Sequence, residues 1–233
     1  MRLPDSQQSY LRYPLNELLG TSGSVRVLRE LTRHGGELGV GVLARRTGLN
    51  PQTVRNTLAA LRRTGVVEAV GQGRSVSYRV VAQHPLVSLL TRFFVEEEAR
   101  VGLIFGRLRE EALRMKPRPL AVWVYGSVAR GEDTPESDLD VALVAGGDDA
   151  DGAVAQYRER LAALEEQQRM TISVVGLRPS DVERRSAGDP WWENVATDAV
   201  PILGPDPAAL LSGIRARKRA LVTGGRRGGD GDA

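Results

Sequence analysis

Asp138 and Asp140 stand one residue apart in the run Ser137-Asp138-Leu139-Asp140-Val141, shortly after the pair Gly126-Ser127. On a strand, side chains at i and i+2 share one face, roughly 7 Å apart along the chain. Two carboxylates projecting together from a rigid strand suit a hard, oxygen-liganded divalent cation, Mg²⁺ by default or Mn²⁺. Gly126 lets the backbone approach a phosphate, and Ser127 offers a hydroxyl and an N–H at a helix start, where anions are favoured. Arg130 adds a cation in the same short segment, a further phosphate contact. A phosphate cradle beside metal-holding aspartates is the equipment of phosphoryl or nucleotidyl transfer, with an NTP, ATP foremost, as the ligand.

The elements that must position these groups lie around them. An apolar run over residues 120–125 reads as a strand that stops at Gly126. Leu139, Val141 and Leu143 alternate with the aspartates and face the opposite side, toward a core. An amphipathic helix follows, with Val154, Tyr157, Leu161 and Leu164 at helical spacing, and then a strand over residues 170–175. On that strand Ile172 and Val174 point to the core, which leaves Thr171 and Ser173 on the face of the aspartates.

The pattern Gly-Ser-x-Ala-Arg-Gly-Glu followed by Ser-Asp-Leu-Asp resembles the minimal nucleotidyltransferase domains of the polymerase-beta-like superfamily, over residues 117–206. The resemblance implies a small mixed sheet, with Asp138 and Asp140 as catalytic metal ligands and Gly126, Ser127 and Arg130 on the phosphates. It also implies a third carboxylate on a later strand, and Ser173 stands where that acid belongs. A hydroxyl is a poor metal ligand and no base near neutral pH. Two consequences stay open: a slow or differently equipped enzyme, or a domain that binds nucleotide without turning it over.

The front half of the chain carries a different signal. Residues 1–116 hold 18 Lys and Arg against 10 Asp and Glu, net +8, and residues 117–233 hold 14 against 19, net −5. A polyanion partner is implied for the front half alone. Arginine outnumbers lysine thirty to two, so its abundance proves nothing and its placement must decide. Residues 24–34 are amphipathic, with Val25, Leu28 and Leu31 inward. A short helix over residues 39–47 is closed by Gly48. Asn50 is a suitable N-cap and Pro51 suits the first position of a helix running to about Thr64. Val54, Leu58 and Leu61 form its buried stripe, leaving Gln52, Thr53, Arg55, Asn56, Arg62 and Arg63 outside. Residues 66–70 and 75–81 then read as a hairpin about a turn at residues 71–74.

Three helices and a glycine-tipped hairpin over residues 21–83 look like the winged helix-turn-helix of bacterial transcription regulators. By that resemblance the helix over residues 51–64 enters the major groove of double-stranded DNA. Gln52, Thr53 and Asn56 would reach base edges, and Arg55, Arg62 and Arg74 would contact phosphates or the minor groove. Residues 21–81 hold ten arginines and three acids, as a phosphate-facing module should.

A long helix spans the two parts from Pro85 to about Met115 and ends before Pro117-Arg118-Pro119. Leu86, Leu90, Phe93, Ile104, Leu108 and Met115 give it a heptad-like seam, interrupted by Glu96-Glu97-Glu98 and Arg100. Homodimerisation through this seam and packing within the chain are equally compatible with the pattern. Trp191-Trp192 read either as a stacking surface for a base or as packing of a helix on a sheet edge. His34 and His84 have no third partner and suggest no metal site. The chain lacks cysteine, so disulfides and cysteine-based metal sites are excluded. No apolar run is long enough for a bilayer span and the N-terminus has no apolar leader, so a cytoplasmic protein with no membrane partner is expected.

The fold expected is α/β (α+β): an N-terminal arm at 1–20, a winged helix-turn-helix at 21–83, a connecting or dimerisation helix at 84–116, a small mixed-sheet nucleotidyltransferase domain at 117–206, and a basic helix with a disordered tail at 207–233. The function expected is a DNA-binding transcription regulator whose fused domain binds NTP and Mg²⁺ and transfers a nucleotide, if at all, to a protein or to nucleic acid such as RNA. An active nucleotidyltransferase recruited by its winged helix is the alternative, as is an antitoxin-like member of a toxin–antitoxin pair.

Overall fold

The computed structural model describes residues 9–13, 22–73 and 76–224. The chain forms two compact units, one within residues 5–103 and one within 104–233. The first contains helix α1 (Ser22–His34), strand β1 (Leu38–Gly39), helices α2 (Val40–Thr47) and α3 (Pro51–Arg63), strands β2 (Val67–Val70) and β3 (Ser77–Val80), and the start of helix α4 (Pro85–Leu113). The α3 N-terminus forms as its sequence dictates: the Asn50 side chain accepts from the Thr53 N–H at 2.8 Å, and Pro51, which has no N–H to satisfy, follows. Val54 and Leu58 are fully buried and Leu61 nearly so. They pack with Val27, Leu31, Leu43 and Val67 in one apolar core. Gly48 caps α2 at φ 68°, a left-handed conformation that a side chain would strain.

The sheet of this unit has the order β1-β3-β2. Alternation and glycines foretold the β2–β3 hairpin, but not β1, whose two residues pair with Tyr78 and Ser77. Gly39, placed by its sequence at the start of a helix, is instead extended (φ −79°, ψ 159°) and serves as both strand end and N-cap. A two-residue strand is too short to leave a periodic signature.

The acidic run on α4 is a correction to the sequence reading. Glu97 does not interrupt a packed face; it belongs to one. Its carboxylate receives Nε of Arg29 at 2.7 Å and Nη2 at 3.0 Å, and both side chains are only 2% exposed. The guanidinium also lies over the rings of Tyr13, at 4.4 Å, and Phe94, at 5.3 Å. Val87, Phe94 and Glu97 thus share the inward face of α4. Phe93, assigned to the seam, is 45% exposed, whereas its neighbour Phe94 is buried. Leu86, Leu89 and Phe93 form an exposed apolar row at helical spacing.

The second unit contains the end of α4, strand β4 (Ala121–Tyr125), helix α5 (Gly126–Arg130), strand β5 (Leu139–Val144), helix α6 (Ala150–Gln168), strand β6 (Ile172–Leu177), helices α7 (Pro179–Arg185) and α8 (Pro190–Asp198), strand β7 (Val200–Leu203) and helix α9 (Pro207–Gly224). The sheet order is β6-β5-β4-β7, with β5 and β6 parallel and the other pairs antiparallel. It is the small mixed sheet expected. Leu139, Val141 and Leu143 are fully buried on one face. Val174 is half-buried, less enclosed than its apolar character suggested. α6 packs on β6 by Tyr157, Leu161 and Leu164, and Tyr157 donates its hydroxyl to the Leu108 carbonyl at 2.8 Å.

The other face holds Ala121, Trp123, Ala142, Val144 and Leu177, packed against Val182, Trp192, Val195 and Leu210. This core continues past residue 206 into α9, where Leu210 is buried and Leu211 and Ile214 pack against it. The Trp123 indole N–H fixes the approach to α9 through the Pro205 carbonyl at 2.8 Å. The tail expected beyond α9, residues 225–233, lies outside the described residues, as does much of the N-terminal arm. Among the described residues no helix is long and apolar enough to cross a membrane.

Candidate functional site

The sheet register assembles the polar site. Tyr125 on β4 pairs with Asp140 on β5, and Asp140 pairs with Ser173 on β6. Residues opposite one another on neighbouring strands share a face, so the three form one row across the sheet. Asp138 lies one residue ahead of β5, exposed, on the same side by alternation. Ser173 therefore occupies the position beside Asp140 that its sequence implied. Among the described residues no group of three or more His, Cys, Asp or Glu is placed to hold a metal. The donor set is a carboxylate pair with a hydroxyl alongside.

Gly126 is required where it stands. Its φ is +75°, and a β-carbon there would fall 2.5 Å from Oδ2 of Asp140. The peptide backbone thus comes directly against the carboxylate with no side chain between them. The segment after it is closed on itself, with the Glu132 N–H bound to the Ser127 carbonyl at 2.9 Å and Gly131 capping α5 at φ 70°. Hard oxygen donors beside a bare backbone turn are a donor set that fits a divalent cation.

Burial, and then the charge of Asp138, push the Asp140 carboxyl above its ordinary range, while Arg130 opposes both. Tyr125 is shifted upward too, first by burial, with a hydrogen bond from Trp191 opposing and the charge of Asp140 adding.

Arg130 reaches two acids, Glu132 within its own motif and Asp198 outside it. Its Nε donates to Glu132 at 2.8 Å and its Nη1 to Asp198 at 2.8 Å. Asp198 closes α8, and Trp191 near the start of α8 meets Tyr125 edge-on at 5.5 Å. Arg185 lies over the Trp191 ring at 5.1 Å. The tryptophan pair divides its roles: Trp192 is buried against Trp123 at 6.1 Å, and half-buried Trp191 borders the site. Sequence spacing carries no signal for Asp198, because only the packing of α8 on α5 brings it to Arg130.

In the first unit, α3 presents Gln52, Arg55, Asn56, Arg62 and Arg63 to solvent. Gln52 donates to Asn56 at 3.0 Å, and Arg55 approaches Gln52 at 3.5 Å, so these side chains form one polar surface. Thr53 is half-buried, its methyl directed to Gly23. Arg74 lies outside the described residues.

Comparison with known proteins divides the chain at the same place. Residues 110–184 match the family described as polymerase beta, nucleotidyltransferase, and residues 20–75 match the MarR family. Among solved structures, NadR in complex with 4-hydroxyphenylacetate is similar at 19% identity, over 46% of this chain and 80% of that one, with a TM-score of 0.34. A mutant of the toxin–antitoxin pair MntA–HpeT is similar at 18% identity, over 52% of this chain and 87% of that one, with a TM-score of 0.33. A toxin–antitoxin structure with AMP-PNP is similar at 19% identity, over 49% of this chain and 86% of that one, with a TM-score of 0.32. None of the curated proteins matches the chain. The family matches, and not these partial likenesses, agree with the elements described: a winged-helix domain of the MarR type, matched over residues 20–75, is followed in the same chain by a nucleotidyltransferase domain of the polymerase-beta type, matched over residues 110–184.

Proposed function

We propose that the protein is a DNA-binding regulator whose second unit binds an NTP together with a divalent cation and turns it over slowly or not at all. The observation that carries this reading is the row Tyr125–Asp140–Ser173 with Gly126 against Asp140. Asp138 and Asp140 would hold Mg²⁺ or Mn²⁺, which neutralises phosphate charge and polarises the phosphorus toward attack. The Gly126-Ser127 turn supplies backbone close to that point, and Arg130 supplies a fixed positive charge. With Asp138 and Asp140 given to the cation, no further carboxylate in the row is left to accept a proton from an attacking hydroxyl, because Ser173 stands where an acid would. Incubation with α-labelled NTP and Mg²⁺ or Mn²⁺, with and without cell extract, tests this. Retention of NTP with slow or no covalent labelling is expected; rapid labelling of a protein or nucleic acid would make the domain a working transferase.

The winged helix is read as the DNA-binding part from the exposed polar face of α3. Arg55→Ala and Arg62→Ala should each weaken binding to all duplex sequences and reduce the salt slope by about one. Asn56→Ala should blur sequence preference instead. The row Leu86, Leu89 and Phe93 is where a second copy would pack for reading paired half-sites, so Phe93→Glu should lower affinity for a paired operator. Gel-shift titrations of the full chain over a salt series, on duplexes of different sequence and on paired sites, give the three results. Equal affinity of wild type and the arginine variants at low salt would remove α3 from the DNA.

A further inference from the structure

Arg130 is anchored at both sides before any ligand arrives. A guanidinium carries five N–H donors in a planar fork. Glu132 takes Nε and Asp198 takes Nη1. Both contacts are 2.8 Å, the short distance of charge-assisted bonds. The fork is thereby fixed in orientation, with Nη2 not used in either contact. Arg130 is the last residue of α5, the short helix that starts at Gly126 against Asp140 and packs on β5, so the fork is carried by the element that borders the carboxylate pair.

Asp198 is the less exposed of the two anchors, its side chain 17% exposed against 62% for Glu132. It is also the last residue of α8, the nine-residue helix whose other end brings Trp191 against Tyr125 in the Asp140 row. Both ends of α8 therefore border the site: Trp191 at Tyr125, and Asp198 at Arg130.

We propose that Asp198 is a positioning residue that aims Arg130 at the phosphates of a bound nucleotide, so that α8 forms a wall of the nucleotide site. This rests on the reading that the second unit binds NTP with a divalent cation. A long arginine side chain loses considerable conformational freedom when it is fixed on a ligand. Anchoring it beforehand removes much of that loss from the binding step. The effect scales with what Arg130 touches, so it belongs to the phosphates and not to the base.

The test is the affinity of the full-length protein for ATP, AMP and adenosine with Mg²⁺, read by calorimetry, for wild type, Asp198→Asn, Asp198→Ala, Arg130→Ala and the double variant Arg130→Ala/Asp198→Ala. Loss of a charge-assisted contact by Arg130→Ala should weaken ATP roughly 10- to 100-fold. Asp198→Ala should weaken ATP several-fold, AMP less and adenosine not at all, with Asp198→Asn in between because its amide oxygen still accepts. In the double variant the loss should be no larger than that of Arg130→Ala alone, since coupled residues are not additive. Equal losses for ATP and adenosine, or additive losses in the double variant, would reduce Asp198 to a structural residue and overturn the proposal. No change in ATP affinity on Asp198→Ala would overturn it as well. If wild type binds no ATP, it is the nucleotide-binding reading that has failed.

Discussion

Replacing Asp138 and Asp140 together by alanine should abolish the rise in thermal midpoint that NTP and Mg²⁺ produce together. A ligand at a hundred times its Kd stabilises the folded state by about 2.7 kcal/mol. For a chain of this size that corresponds to roughly 5–10 °C. The same pair makes a second, opposite prediction for the free protein. Burial and the Asp138 charge hold the Asp140 carboxyl above its usual range. A raised folded-state value means that the group favours folding when protonated, below the ordinary carboxylate range. That contribution is lost as pH rises through the folded value. At neutral pH the ionised Asp140 therefore costs stability, and Asp140→Asn should raise the midpoint in EDTA while removing the response to NTP and Mg²⁺. Scanning calorimetry at pH 7 and near pH 4 reads both effects, and the advantage of Asn should shrink at the lower pH. An Asn variant that melts below wild type in EDTA at pH 7 would contradict the electrostatic account of the pair.

The other large effect lies in the first unit. Glu97→Ala takes from the buried Arg29 guanidinium the carboxylate that receives its Nε and Nη2, and breaking such a pair costs about 3–5 kcal/mol. Tyr13 and Phe94 offset part of this through their ring faces. Replacing both partners with apolar residues, Arg29→Met with Glu97→Leu, should recover much of the loss, because neither buried charge then remains. All three tryptophans, Trp123, Trp191 and Trp192, belong to the second unit. Urea unfolding followed by tryptophan fluorescence should therefore move little, while a far-UV circular dichroism phase shifts to lower urea. A loss under 1 kcal/mol for Glu97→Ala would mean that the pair carries no such weight.

The parts of the molecule that were readable beforehand rest on local rules. The Asn50-Pro51 start of α3 and its Val54–Leu58–Leu61 stripe follow from capping and periodicity. The alternation of Leu139, Val141 and Leu143 with Asp138 and Asp140 set the strand faces, and the register then placed Ser173 beside Asp140. What escaped depends on contacts between residues far apart in sequence. Glu97 looked like a break in an apolar seam because its partner, Arg29, lies 68 positions away. Phe93 and Phe94 are adjacent, and only the packing partner of α4 decides which one is buried. Asp198 likewise lies 68 positions from Arg130 and belongs to no motif. β1 is two residues long and exists because β3 offers it an edge.

The most direct test of the central claim is calorimetric titration of NTP into the full-length protein, once in Mg²⁺ and once in EDTA. On the proposed reading Asp138 and Asp140 set two carboxylates beside the phosphates, so binding should be measurable in Mg²⁺ and lost in EDTA. It should also be lost in Asp138→Ala/Asp140→Ala whichever buffer is used. Equal NTP affinity in Mg²⁺ and EDTA, unchanged by those substitutions, would contradict the account.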